Sequence, residues 1–489
     1  MSYLDYAATT PIDPHVHAAM LPWLGVWDGA SLGFANTASN HPAGQAARAA
    51  VEHARAQVAA LVGCEPDEVV FTSGATEANN LAILGTMQFY GGVQGTAQQA
   101  AIITSKTEHK SVIDTVRQLE TVGHRVTWLT PDKTTGAVSV TQLAEALQNY
   151  TQQNIQLVSL MQVNNETGVI QDVAAFAALT RERGIKLHVD ATQSAAHLPL
   201  LWASAPIDLM SLSAHKLYGP KGIGALIVRK TPRARLVPQQ WGGGHERGLR
   251  SGTLPTALIV GFGAACELAM KQREPDSARL MGLKASLMEA LGAYVTVRGE
   301  PGEAKTNHMP ALSPNPSPAS ERGELLAPHI LNISFTGIEG EALHALLAEY
   351  VCVSAGSACS AATQEPSYVL RALGRSDGDA SSAVRFSWGR WVTEADVQYA
   401  AQVVRAATSS LQHIAGGAEA SDGEGSEVVS FTALRDIWPY VGAVSSPQVK
   451  TAQITTPASK AWLVLSYCAH TQRAGFTAKG NLAVLQVAA

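Results

Sequence analysis

The chain has 489 residues, of which 46% are hydrophobic and 15% charged, and its formal net charge is −5. That length admits about three domains at roughly 150 residues each, and the composition suits a globular protein with a large core. An acidic balance without any run of Lys and Arg argues against a nucleic-acid surface, and the most apolar stretches, Leu254–Ala265 and Ala461–Ala469, are too short to span a bilayer.

The opening residues, MSYLDYAATTPIDP, lack a basic stretch followed by an apolar run, so no secretory signal is expected. Five cysteines (Cys64, Cys266, Cys352, Cys359, Cys468) stand without CxxC or CxxH spacing. They fit a reducing cytoplasm rather than a disulfide scaffold, and no metal site is expected.

From about residue 16 to 255, short β-rich runs alternate with helical patterns. The predicted strands are Glu68–Phe71, Ala101–Ser105, Arg125–Leu129, Gln156–Gln162, Lys186–Asp190, Leu209–Ser213 and Ala225–Arg229. Helices such as Ala75–Met87 and Val173–Arg183 lie between them, which is the pattern of βα units around a mostly parallel, seven-stranded sheet. Thr256–Gln272 reads as a helix leaving this domain. Strands at Ile330–Phe335, Tyr350–Ser354 and Val384–Trp388, with helices at Glu339–Glu349 and Glu394–Leu411, predict a smaller α/β domain. The expected division is a large domain over 16–255 and a small one from 1–15 plus 256–415.

Two stretches stand outside this plan. Pro301–Pro328 holds six prolines in 28 residues and is expected to be a disordered surface insertion. From residue 416 to 489 the character changes, with four acidic and no basic residues between Glu419 and Glu427. Periodicity there is modest at Val428–Trp438, an apolar patch follows at Ala461–Cys468, and no function is legible.

In parallel sheets ligands sit beyond the carboxyl ends of the strands, and the chemistry-bearing residues cluster at those positions. Lys216 closes IDLMSLSAHK, the way pyridoxal phosphate enzymes hold their cofactor as a Schiff base. Asp190 ends a strand and can keep the pyridinium nitrogen protonated. Ser73–Asn79 (SGATEAN) turns from a strand into a helix, where Thr76 and backbone N–H groups can hold a phosphate. His109 can lie on the ring, and Gln193, Ser213 and His215 can bond the ring hydroxyl and phosphate. Thr253, in the Gly-rich stretch Trp241–Thr253, can complete the phosphate site. Singly, each has an ordinary reading as a helix cap, a solvated turn residue or a surface ion pair. Together they favour a pyridoxal phosphate enzyme over a sugar- or nucleotide-binding α/β protein, and no GxGxxG follows a strand.

The loop Ser354–Ser360 (SAGSACS) offers a mobile, exposed cysteine, Cys359, suited to act as a nucleophile. Cys64, Cys266 and Cys352 sit in apolar contexts and read as core residues. Arg385, on the strand VRFSWGR, suits bidentate capture of an amino acid carboxylate.

These motifs resemble the cysteine desulfurases of the IscS/NifS type, class-V pyridoxal-phosphate-dependent enzymes with the aspartate aminotransferase-like transferase fold. The resemblance runs through LDYAATTPIDP, FTSGATEANNLAI, ITSKTEHKSVIDT, VNNETGVIQD, HVDATQS, SAHKLYGPKGIGAL, GGGHERGLRSGT, SAGSACSA, EPSYVLRALG and VRFSWGR, covering roughly residues 2–300 and 329–412. The short cysteine loop is similar to the IscS/NifS group and not to the SufS-like group.

The resemblance implies Lys216 as the Schiff-base lysine, Cys359 as the persulfide-forming nucleophile and His109 as ring stacker and proton-transfer residue. It further implies Ala75, Thr76, Asn165, Asp190, Gln193, Ser213 and His215 as cofactor contacts, with Asn36 and Arg385 on the substrate carboxylate. Thr253 would reach the phosphate of the neighbouring subunit, implying a homodimer. The implied reaction takes L-cysteine to L-alanine and leaves a persulfide on Cys359. In the family that sulfur passes to iron–sulfur scaffold proteins and tRNA-thiolation carriers, in the cytoplasm and without membrane or direct nucleic-acid contact. The family's C-terminal end helps dock the scaffold, and the segment from Gly416 does not match it. A scaffolding role without catalysis, a selenocysteine lyase and an aminotransferase are the other readings. Intact Lys216 and Cys359 speak against the first, and dependence on Cys359 separates the others.

Overall fold

The computed structural model describes residues 1–25, 32–91, 100–148, 155–292, 304–306, 326–355, 365–419, 464–468, 473–478 and 481–486. In chain order the first half comprises β1 (Ser2–Tyr3), α1 (Pro14–Met20), α2 (Pro42–Val62), β2 (Val69–Thr72), α3 (Ala75–Gly91), β3 (Ala101–Ser105) and α4 (Lys110–Thr121). It continues with β4 (Arg125–Leu129), α5 (Val140–Gln148), β5 (Ile155–Met161), α6 (Val173–Glu182), β6 (Lys186–Asp190), β7 (Leu209–Ser213) and β8 (Gly224–Val228).

β2 through β8 form one seven-stranded sheet in the order β2-β8-β7-β6-β5-β3-β4. Only β8 runs against its neighbours; the pairs β7–β6, β6–β5, β5–β3 and β3–β4 are parallel. Nearly every residue of the inner strands is buried. That is the consequence of covering both faces of a parallel sheet with helices, and it explains why these strands read as unbroken apolar runs. One face carries a core of Val58, Phe71, Phe176, Leu187, Ile227 and Phe262. The other carries Val70, Leu81, Ile83, Ile102, Val116 and Leu226, with α3 and α4 laid over it.

The second half contains α7 (Thr256–Leu291), β9 (Ala304–Thr306), β10 (Ile330–Phe335), α8 (Gly340–Ala348), β11 (Val351–Cys352), β12 (Ser354–Ala355), α9 (Tyr368–Ala372), α10 (Asp377–Ser381), β13 (Ala383–Ser387) and α11 (Glu394–Glu419). An antiparallel sheet runs β12-β13-β10-β9, and β1 pairs in parallel with β11. The N-terminal residues Leu4 and Tyr6 therefore pack in a separate core with Leu331, Phe335, Leu343, Phe386 and Trp388. Near the C-terminus β14 (Val464–Cys468), β15 (Arg473–Ala478) and β16 (Asn481–Gln486) pair as an antiparallel meander.

Two expectations change. The helix expected to stop at Gln272 continues to Leu291 through Pro275. Its first part buries Ile259, Phe262 and Ala265 in the core under the large sheet, and its second part buries Leu280, Leu283 and Leu287 in the second core. Apolar contacts on both sides of the proline outweigh the one lost backbone hydrogen bond, so a residue that ordinarily ends helices does not end this one. Nor is the Pro301–Pro328 stretch wholly irregular. Ala304–Thr306 adds an edge strand to β10, and Leu326 bridges Val169 with Leu326 and Ala327 buried. Most of that stretch, and most of residues 416–489, lie outside the described residues.

Candidate active site

A cavity of about 500 Å³ opens where β2, β3, β5, β6 and β7 end. It falls within the size of ordinary cofactor sites, which span about 300–1,000 Å³. Ala75, Thr76, His109, Asn165, Asp190, Gln193, Ser213, His215, Lys216 and Arg385 all line it. They come from distant parts of the chain and are collected because parallel strands deliver their carboxyl ends to one edge.

The β2–α3 turn is built from glycine. Gly74 has φ +153°, and a Cβ on Gly224 would lie 2.7 Å from the Gly74 Cα and 2.4 Å from the Leu212 carbonyl oxygen. The start of β8 and the turn thus touch backbone to backbone, which only glycine permits. The first turn of α3 lines the cavity at Ala75–Glu77, where helical N–H groups lack intrahelical partners and the dipole favours an anion. Glu77 accepts from the Ser73 N–H (2.7 Å) and pairs with Arg250 (2.8 Å), which ties the Gly-rich stretch to the turn.

Asp190 is 6% exposed at the end of β6. Its Oδ2 accepts from Nδ2 of Asn79 (2.8 Å) and its Oδ1 from the Thr192 N–H (2.9 Å). Beside it Glu108 is fully buried, with Oε1 accepting from the Met161 N–H (3.0 Å). Burial, reinforced by the charge of Asp190, holds the Glu108 carboxyl well above the usual carboxylate range.

Lys216 donates from Nζ to the Ala8 carbonyl (2.7 Å) and to that of Ala7, and Gln193 donates to the same Ala7 oxygen (2.9 Å). Ala7 and Ala8 therefore line one side of the cavity, and His215 Nδ1 meets Thr9 Oγ1 at 3.1 Å. Burial, together with Lys216 and Lys221, pushes His215 down to about 4, so its ring is neutral near pH 7.

Arg385 enters from β13. It donates from Nη1 to the Asn165 carbonyl (2.9 Å) and from Nη2 to Asp5 Oδ1 (2.9 Å). Asp5 Oδ1 also accepts from Ser354 Oγ (2.8 Å), and Ser354 faces Arg385 in the β12–β13 ladder. The expected nucleophile Cys359 lies outside the described residues. The flanks of its loop border the cavity, through the Ser354–Arg385 pair on one side and the cavity-lining Tyr368 on the other.

The residues present fit pyridoxal phosphate. The cavity holds an amine, an anion and a helix N-terminus, and three buried polar atoms (Asn165 Oδ1, Thr192 Oγ1 and Arg385 Nε) have no protein partner among the described residues. A buried polar atom without a partner is costly, and all three belong to residues that line the cavity.

Two expected residues are elsewhere. Asn36 is exposed in a turn, where its Oδ1 accepts from the Ala38 N–H (2.9 Å), and Thr253 is exposed. Neither lines the cavity of its own chain. The residues not anticipated are Ala7 and Ala8, which offer only carbonyls, and Asn79, Glu108 and Ser111. Those three fall within the motifs quoted above but carried no expected role of their own.

The Aminotransferase class-V family profile matches residues 2–400. A cysteine desulfurase IscS of Photorhabdus laumondii is 47% identical over 415 residues, covering 84% of this chain and 94% of that protein. Among solved structures, a NifS-like protein superposes with a TM-score of 0.69 at 30% identity, covering 82% of this chain and 98% of the other. SspA in complex with cysteine superposes at 0.64 with 34% identity, covering 80% and 100%. No described helix is long and apolar enough to cross a membrane. On this extent of similarity the chain belongs to the class-V aminotransferase family, in the group of the IscS and NifS-like cysteine desulfurases, and its cofactor is pyridoxal phosphate.

Proposed function

We infer that the protein is a cysteine desulfurase that converts L-cysteine to L-alanine and retains the sulfur as a persulfide on Cys359. The observation that carries this reading is the gathering of Lys216, Asp190, His109 and Arg385 around one cavity, with Tyr368 lining it and Ser354 paired to Arg385.

Bound pyridoxal phosphate supplies an electron sink for the pair left at the substrate carbon when its proton leaves. Lys216 is the amine that holds it, Asp190 the anion for its ring nitrogen, and His109 the ring lying against it. Ala75, Thr76, Ser213 and His215 serve its phosphate, and Asn165 and Gln193 its ring hydroxyl. Arg385 holds the substrate carboxylate, exchanging one acceptor for another. The Cys359 thiolate attacks the substrate sulfur. The S–S bond forms as the carbon–sulfur bond breaks, the electron pair goes to the β-carbon, which takes up a proton, and return of a proton to the α-carbon completes alanine. No outside oxidant enters. Cys359 is four residues from Ala355, which sets its reach at about 14 Å at most.

Thr253, outside its own chain's cavity, is assigned to the phosphate of a second copy, which makes the working unit a homodimer. Sulfur acceptors of the iron–sulfur scaffold and tRNA-thiolation kinds, in the cytoplasm, complete the reading.

The test is sulfide and alanine release from L-cysteine with a reductant, in wild type and Cys359→Ala, with cofactor content read by visible absorbance. Equal yields of both products in wild type, and neither from a cofactor-loaded variant, support desulfuration. An active variant would overturn it in favour of lyase or transaminase chemistry.

A further inference from the structure

His109 sits at the N-terminus of α4, where its Nδ1 accepts the backbone N–H of Ser111 at 3.1 Å. A nitrogen that accepts cannot carry the proton, so the neutral ring is protonated at Nε2. Ser111 Oγ lies 2.8 Å from the same Nδ1 and must therefore donate to it. The hydroxyl oxygen in turn accepts from Asn79 Nδ2 at 2.9 Å, and the other hydrogen of that amide goes to Asp190 Oδ2 at 2.8 Å. Asn79 is fully buried, so both of its N–H groups are committed. Every donor in the series Asp190–Asn79–Ser111–His109 thereby has one direction only.

We propose that Asn79 and Ser111 are positioning residues that tie the His109 ring to the Asp190 carboxylate and hold it in the Nε2-protonated form. Asn79 acts on both groups at once from the α3 side, and Ser111 transmits the constraint to the ring. His109 accordingly begins the reaction as a proton donor at Nε2, the edge turned away from its anchor on α4. This deepens the desulfurase reading and rests on His109 serving it.

The experiment labels all fifteen histidines with nitrogen-15 and identifies His109 by its loss in His109→Asn. Long-range proton–nitrogen spectra then report the tautomer in the cofactor-loaded protein and, separately, after cofactor removal. Wild type is expected to show a bare Nδ1 in both. Ser111→Ala and Asn79→Ala should each raise the Nδ1–H share by about two- to tenfold, the effect of one neutral hydrogen bond. Alanine formation should fall by about the same factor at unchanged KM, and Ser111→Thr should restore both. An Nδ1–H ring in wild type would overturn the proposal. So would a Ser111→Ala protein with the wild-type tautomer, or one with an altered tautomer and unaltered turnover. The tautomer is read without turnover, so failure of the desulfurase reading, seen as wild type releasing no sulfide, is a separate result.

Discussion

Nη2 of Arg385 lies 2.9 Å from Oδ1 of Asp5, and this pair joins the chain's N-terminal segment to the strand beside the Cys359 loop. Arg385 is 1% exposed, and the two groups it holds, Asp5 and the Asn165 carbonyl, use Nη2 and Nη1 while its Nε is unpaired among the described residues. Arg385→Lys keeps the charge but loses the planar fork. It should reduce kcat/KM for L-cysteine by about 10- to 100-fold, mostly through KM, since hydrogen bonds to charged groups contribute about 1.5–3 kcal/mol. Steady-state kinetics decide, and an unchanged KM would remove Arg385 from substrate binding.

Arg55 and Glu246 form a two-bonded ion pair, 2.8 Å on each arm, at 4% and 1% side-chain exposure. Glu246 also accepts the Phe71 N–H at 2.7 Å, which anchors the Gly-rich stretch to β2 just before the cofactor turn. Both Glu246 and Arg247 have positive φ, 49° and 56°, a conformation that non-glycine residues hold only when the surroundings enforce it. Glu246→Ala removes the buried partner of Arg55, which keeps Glu52 (3.0 Å) and the Val69 carbonyl (2.9 Å), and leaves the Phe71 N–H without its acceptor, so it should cost about 1–3 kcal/mol of stability. Urea unfolding of the holoenzyme measures it, and a loss below about 1 kcal/mol would mean that water reaches Arg55.

Much of this arrangement was legible from sequence because strand ends are marked by an apolar run giving way to polar residues. Asp190, Ser213 and Lys216 follow such runs directly, and the seven strands were found within a residue or two of their bounds. What escaped had no local signature. Ala7 and Ala8 act through carbonyls that any residue would supply. Asn79 lies within a motif that reads as a phosphate turn, yet its amide points at Asp190, 111 residues away. Pro275 carries the usual stop signal, and only the burial of Leu280 and Leu283 beyond it explains why the helix goes on.

Gly224→Ala tests the backbone contact beneath the phosphate turn. Its Cβ would meet the Leu212 oxygen and Gly74 Cα, both backbone atoms with no freedom to rotate aside. Overpacking of this kind costs about 1–3 kcal/mol, and here the turn is the part that must shift. Cofactor retained after dialysis should fall by tenfold or more. Gly282→Ala, in α7 with nothing near its added Cβ, should retain the cofactor and gain about 0.5–1 kcal/mol. Full retention in Gly224→Ala would show that the turn tolerates displacement.

The buried histidines set the acid limit of stability. Burial pushes His188 and His215 down to about 4 and His197 to about 3, the last helped by Arg390 and Arg273, and His329 also lies well below its ordinary value. Unfolded histidines take up protons near pH 6.5, so between about 6.5 and 4 the unfolded state binds up to four protons that the folded state refuses. Glu108 works the other way. Its raised carboxyl keeps a proton when folded that the unfolded chain releases above about 4.5, which leaves a net of up to three. Stability should therefore fall on acidification across that window, by up to roughly 4 kcal/mol per pH unit from these groups, with the lowered His344 adding to the fall. The urea midpoint at pH 5.5 should lie well below that at pH 7. Glu108→Gln removes the opposing proton and should steepen the fall by about one proton's worth, roughly 1.4 kcal/mol per pH unit. A midpoint that rises on acidification, or a Glu108→Gln slope no steeper than wild type, would show that these groups do not carry the burial that the fold gives them.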